Sequence, residues 1–267
     1  MAHEMQPAIA GRQPGRVAAM VKSMMPIDES RRIAEVYGDR TRSLPADYYA
    51  LAHPANLYRT QRRERATLGL LATWGLRDLA DLRICEVGCG SGGELLRLVS
   101  WGARPENLCG VDLLADRIAG AQAILPAARL EVKDARSTSF ADESFDLVMQ
   151  LTLLSSVLDP DIRLAIAHEM RRILKPGGKI LWYDMRVVRP DRPLVALGRA
   201  EIARLFPECR LDLRAETLNP VISRITAKAS WMFSDMLSYV PLARSHYLGM
   251  IIPQARVGPG DQASREP

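Results

Sequence analysis

Four glycines, at 88, 90, 92 and 93, stand between an apolar run at 83–87 and a helical pattern over 94–101. Little else can occupy such a place except a tight strand-to-helix turn. Without side chains the backbone turns sharply and lets a ligand approach closely. The first turn of the helix behind it offers free amide groups to an anion. From this point strand and helix patterns alternate. Strands are predicted at 83–87, 108–112, 129–133, 145–150 and 179–183, and helices at 94–101, 115–125 and 161–174. The last helix stops before Pro176-Gly177-Gly178, where chain breakers demand it. This order implies an α/β fold whose parallel sheet carries helices on both faces and binds ligands at the carboxyl ends of its strands. Two later alternating runs, 209–218 and 246–252, are predicted to pair antiparallel at one end of the sheet. An amphipathic stretch around Ile225, Trp231, Met232, Met236 and Leu237 lies between them.

Composition narrows the class. The 267 residues are 48% hydrophobic and 25% charged with mixed signs, enough for one full core and a small cap. No run approaches the roughly 20 apolar residues a membrane span needs. Of 36 basic residues only five are lysine, and the net charge of +5 is spread rather than gathered into a nucleic-acid arm. Cys85, Cys89, Cys109 and Cys209 have neither CxxC spacing nor clustered histidines, so no disulfide framework or metal site is expected. Residues 1–26 read as a disordered extension, with Met24 or Met25 as alternative starts, and 255–267 as a disordered tail. With no targeting segment recognisable, the expected location is cytoplasmic.

The glycine loop by itself fits two signatures. Gly88, Gly90 and Gly93 match the dinucleotide pattern G-x-G-x-x-G. Glu86 with Gly88, Gly90 and Gly92 matches E/D-x-G-x-G-x-G. Asp112 follows Gly88 by 24 residues, at the end of the second predicted strand, where an acid can accept from both hydroxyls of a ribose.

Four segments in order carry a more specific resemblance: Glu86-Val87-Gly88-Cys89-Gly90-Ser91-Gly92; Gly110-Val111-Asp112-Leu113; Lys133-Asp134-Ala135 followed by Ser144-Phe145-Asp146-Leu147-Val148; and Glu169-Met170-Arg171-Arg172-Ile173-Leu174-Lys175-Pro176-Gly177-Gly178. Together the chain resembles a class I S-adenosylmethionine (SAM)-dependent methyltransferase of the type 11 group. The last segment has no counterpart in a dinucleotide dehydrogenase. The resemblance implies a Rossmann-like, doubly wound, seven-stranded sheet, mostly parallel with an antiparallel last strand. It also implies a helical cap at 27–80, a catalytic domain at 81–254 and a lid at 219–245 that closes the pocket with the cap. Gly88 and Gly90 would line the methionine part of SAM, and Glu86 would reach its amino group. Asp112 would hold the ribose, Leu113 would pack on the adenine, and Asp134 with the Ala135 backbone would meet the adenine amino group. Gln150 would face the methionine or sulfonium end. Cys89 reads as a small filler under the loop, with no partner base evident.

The family has no universal base, so catalytic candidates come from position alone. Tyr183 and Asp184 end the fifth predicted strand. Tyr48, Tyr49, His53 and Tyr58 fall in the cap, His246 and Tyr247 begin the last strand, and His168 reads as a surface residue. Tyr183, Asp184 and His53 are the favoured three. Segments 51–56, 62–65 and 245–249 resemble a bacterial methyltransferase group of polysaccharide and other specialised biosynthesis. The expected activity is therefore methyl transfer to an oxygen or nitrogen of a small molecule or glycan precursor. An RNA or protein methyltransferase and an inactive SAM-binding protein are the rival readings. No nucleic-acid partner and no integral membrane association are expected, and a homodimer is compatible.

Overall fold

The computed structural model describes residues 29–45 and 47–254, without the side chains at 40 and 41. The predicted extension at 1–26 and tail at 255–267 lie outside the described residues. The cap is two helices, α1 (Glu29–Ser43) and α2 (Pro54–Thr73). There follow β1 (Ile84–Val87), α3 (Gly93–Ser100), β2 (Leu108–Asp112), α4 (Ala115–Ile124), β3 (Arg129–Val132) and β4 (Phe145–Leu151). Next come α5 (Pro160–Arg172), β5 (Leu174–Met185), α6 (Arg199–Leu205), β6 (Cys209–Leu218), α7 (Pro220–Ala229), α8 (Trp231–Ser238) and β7 (Arg244–Pro253).

The seven strands form one sheet in the order β3-β2-β1-β4-β5-β7-β6. The first five pair in parallel, and β7 runs antiparallel to both β5 and β6. The mostly parallel Rossmann-like sheet with its antiparallel last strand is therefore present, that strand lying between β5 and the edge strand β6. Every residue of β1 and β2 is buried, as expected where helices cover both faces. Alternation sends Val148, Ile180 and Trp182 into one apolar layer and Leu147, Met149 and Leu181 into the other. The strand order turns back between β1 and β4. The crevice beyond their carboxyl ends is where a parallel sheet of this kind holds a ligand.

Two boundaries differ from the sequence expectation. α5 is capped by Asp159, whose carboxylate accepts from the Asp161 and Ile162 amides, and it ends at Arg172. Leu174 then pairs with Phe145, so β5 starts before the Pro-Gly-Gly turn rather than after it. The short α6 carries too few residues to show a period in the sequence.

α1 is fastened by Glu29, which binds Arg32 at 2.7 Å and accepts from the Leu158 amide at 2.6 Å. The Arg32 guanidinium also reaches the Ser156 carbonyl. α2 is tied to the sheet side by the Arg63–Glu94 pair and by Trp74, whose indole donates to Asp212 at 3.1 Å. On its other side Tyr58 and Arg62 both donate to Asp235 of α8. Among the described residues no helix is long and apolar enough to cross a membrane.

Candidate active site

β1 ends in Glu86 and Val87, and the chain then turns with Gly88 at φ +76°, Gly90 at +53° and Gly92 at +78°. These left-handed angles are strained for any residue with a Cβ. At Gly88 a Cβ would also stand 2.9 Å from Leu153 Cδ1. The turn is held by Gly88 and Cys89 amides donating to the Val111 carbonyl at 2.8 and 2.9 Å. At the end of β2 the Asp112 carboxylate accepts from the Gly90 amide at 2.9 Å and the Leu114 amide at 3.0 Å. The loop and the acid are thus one rigid unit.

Above this unit is a cavity of about 290 Å³. Glu86, Gly88, Gly90, Asp112, Leu113, Asp134 and Ala135, widely separated in the chain, all line it. Ile162 and Ile166 of α5 add an apolar wall, and Ile33 and Tyr37 of α1 roof it. Arg63, Glu94, Leu151 and Thr152 line it as well.

Electrostatically the unusual group is Glu86. Its side chain is buried, and its Oε2 has no hydrogen-bond partner. Burial pushes its carboxyl well above the ordinary range, nearby Glu94 adds to this, and Arg63 opposes it. A partnerless buried carboxylate oxygen is costly, and an ammonium group is the donor that would satisfy it. Asp112 spends one lone-pair site of each oxygen on the loop and keeps the others for hydroxyl donors. Beside the glycine floor stand Leu113 and the α5 isoleucines, which suit a flat apolar ring. The residues present therefore fit an amino acid joined to a nucleoside. Asp134 is partly engaged already: its Arg136 ion pair holds its carboxyl below the usual carboxylate range.

Four expected residues are not brought to this cavity. Gln150 is fully buried and does not line the cavity; its side-chain oxygen accepts from the Leu153 amide at 3.1 Å, while its Nε2 has no hydrogen-bond partner. Tyr183 is buried with its hydroxyl 2.8 Å from Thr217 Oγ1 and its ring stacked on His246 at 4.7 Å. Asp184 points into the protein, accepting from the Ser155 and Met185 amides, and burial raises its pKa to about 6. His53 precedes α2 and lines a separate cavity of about 270 Å³, with Nε2 3.2 Å from Asp47 Oδ2. His246 is buried too, and burial beside Arg63 and Arg59 lowers its pKa to about 3. His168 is exposed on α5. No residue between 219 and 245 lines the main cavity, because α2 lies between it and the α7–α8 segment.

Some contributors left no mark in the sequence. Thr152 lines the cavity at φ +59°, a rare conformation for a β-branched residue, and no motif signals it. Arg63 is one arginine among several on α2. The helical pattern of α1 was legible, but its docking over the crevice was not.

Comparison with known proteins agrees with this geometry. The family model described as "Methyltransferase domain" matches residues 84–178. A demethylmenaquinone methyltransferase from Lactobacillus johnsonii is 30% identical over 215 residues, covering 75% of this chain and 84% of that protein. Most other curated relatives are spanned over less than two thirds of their length, 58% for one from Haemophilus influenzae. In fold the chain is similar to geranyl diphosphate C-methyltransferase from Streptomyces coelicolor, with TM-score 0.59 and 16% identity over 86% of this chain and 100% of that one. It is also similar to phosphoethanolamine N-methyltransferase 1 from Haemonchus contortus, with TM-score 0.60 and 13% identity over 88% and 51%. Both of those structures hold S-adenosylhomocysteine. The lining residues fit an S-adenosyl amino acid, and the chain belongs to the class I SAM-dependent methyltransferases.

Proposed function

We propose that this methyltransferase acts on an oxygen or nitrogen of a small molecule with a substantial apolar part. The observation that carries the site assignment is the partnerless Glu86 oxygen above the Gly88–Gly90 floor, in one cavity with Asp112. In this reading Glu86 holds the ammonium end of SAM, Asp112 the ribose hydroxyls, and Leu113 and Ala135 the adenine. SAM supplies a methyl group already activated on a positive sulfur, so the protein mainly orients the partners and excludes water. Ile33 and Tyr37 of α1 and, from the end of β4 and just beyond it, Leu151 and Thr152 line the space in which the partners would meet.

The apolar acceptor is supported by what the relatives are named for: demethylmenaquinone, a fatty acid and phosphatidylethanolamine. This favours a lipid-like acceptor over the glycan precursor suggested by local sequence resemblance. Against RNA or protein stands the spread of charge along the chain.

Calorimetric titration with SAM, S-adenosylhomocysteine and NAD tests the cofactor half. Both sulfur ligands should bind and NAD should not. The acceptor half is tested by transfer of radiolabelled methyl from SAM into a bacterial extract. Label is expected in solvent-extractable small molecules. Label in acid-precipitated RNA or protein would overturn the reading.

A further inference from the structure

α7 and α8 are built inside out. The buried residues of α8 are Ser234 and Ser238, and those of α7 are Ser223, Thr226 and Ala227. Their hydroxyls are satisfied inwardly: Ser234 donates to Thr226 Oγ1 at 2.8 Å and Ser238 to the Asp235 carbonyl at 2.6 Å. Ile222 and Leu237 pack inward against Ala55, Tyr58 and Leu218, but most of the large apolar residues face outward. Met232 is 74% exposed, Met236 63% and, in the turn after α8, Leu242 89%. Ile225, Phe233 and Tyr239 are exposed as well. Of the eighteen large apolar residues exposed among the described residues, nine fall between 221 and 242. A helix pair packed on a protein in water shows the opposite polarity, and a concentrated apolar patch marks a binding surface.

The charges beside the patch indicate what covers it. Residues 219–244 contain three cations, Arg224, Lys228 and Arg244, and one acid, Asp235. Asp235 is turned toward α2, where Tyr58 and Arg62 donate to it. None of the three has a carboxylate within ion-pair distance among the described residues; Arg244 is held by the Ser238 and Ala215 carbonyls, whereas Arg224, over the Tyr48 ring, and Lys228 stay on the outer side. Arg224 and Lys228 line the cavity of about 270 Å³ at the edge of the patch, and its acid, Asp47, is engaged by His53. Outward apolar side chains, aromatic residues at the margin and cations left without acids are complementary to an anionic lipid surface.

We infer that the α7–α8 face docks on an anionic lipid bilayer, with Met232, Met236 and Leu242 entering the headgroup boundary and Arg224 and Lys228 meeting lipid phosphates. The inference goes beyond the acceptor reading and does not depend on it, because vesicle binding is read without methyl transfer. A water-soluble acceptor would leave it standing.

The test is flotation of the full chain with phosphatidylcholine vesicles, with and without phosphatidylglycerol. The protein should float with the anionic vesicles and at least tenfold less with the neutral ones. A Met236→Asp/Leu242→Asp variant should lose binding tenfold or more. Lys228→Glu should lose it on anionic vesicles only. SAM titration and melting temperature, unchanged in both variants, would show that the fold and the cofactor site are intact. Flotation of the apolar variant like the wild type would overturn the inference. So would absence of flotation on either vesicle, and sedimentation velocity showing a dimer that the same variant dissolves would assign the face to a second copy.

Discussion

Gly90 and Asp112, 22 positions apart, are joined by a 2.9 Å hydrogen bond from the Gly90 amide to the Asp112 carboxylate, which fixes the glycine loop to the end of the neighbouring strand. Asp112→Ala removes this bond, the one to the Leu114 amide and the acceptor for the ribose hydroxyls together. SAM affinity is expected to fall by at least tenfold, about 1.4 kcal/mol, with the far-ultraviolet spectrum unchanged. A folded variant that binds SAM like the wild type would remove Asp112 from the site.

At Gly88 the constraint is steric. Gly88→Ala forces a side chain into a left-handed conformation and against Leu153. The strain costs about 1–2 kcal/mol of stability, and moving Leu153 displaces the segment that carries Thr152. The expected result is a lower denaturation midpoint and lost SAM binding. Gly93→Ala meets nothing within 4 Å and should leave the denaturation midpoint nearly unchanged.

Glu86 predicts a pH effect on binding. Burial raises its pKa in the free protein, while an ammonium beside it favours the ionised form. Binding therefore releases a proton, and SAM affinity should rise with pH for as long as Glu86 of the free protein is protonated. Calorimetry in buffers of different ionisation enthalpy would register the proton. Glu86→Gln should lose that signal and bind SAM about 10–100-fold more weakly.

Asp184 and His246 should act on stability in opposite directions. The pKa of Asp184 is raised from 3.8 to about 6, so the folded state holds its proton more tightly than the unfolded chain. Its contribution is full below about pH 4 and is lost as the pH rises to about 6, about 3 kcal/mol in all. His246 is lowered from 6.5 to about 3, so its contribution is present above pH 6.5 and lost as the pH falls toward 3. Denaturation midpoints across pH 3–8 for wild type, Asp184→Asn and His246→Asn separate the two. Relative to Asp184→Asn the wild type weakens from pH 4 to 6; relative to His246→Asn it weakens from pH 6.5 downward. Methyl transfer by Asp184→Asn that falls only as far as its stability does would place Asp184 among the residues that hold β5 to the loop after β4.

The sequence by itself determined the strand, turn and helix at Glu86–Gly93, the place of Asp112 and the alternation of strands and helices that makes the sheet parallel. These depend on local properties: the freedom of glycine, the alternation of apolar runs and breakers after a helix. What lies inside a strand end was not legible. Gln150, Tyr183 and Asp184 stand at the ends of the neighbouring strands β4 and β5, and packing alone decides which points into a crevice and which is bound by a neighbour's amide or hydroxyl. In the case of Gln150 the neighbour is three residues on, at Leu153, yet the bond exists only because β4 stops where it does. The amphipathic stretch at 219–245 shows the same limit. Periodicity fixes that two faces differ, but only the tertiary structure chose the serine face for burial, because Asp235, Thr226 and the α2 side chains Tyr58 and Arg62 supply polar partners there. The α1 roof was decided in the same way, by Glu29 and Arg32 finding Leu158 and Ser156 more than a hundred residues further along the chain.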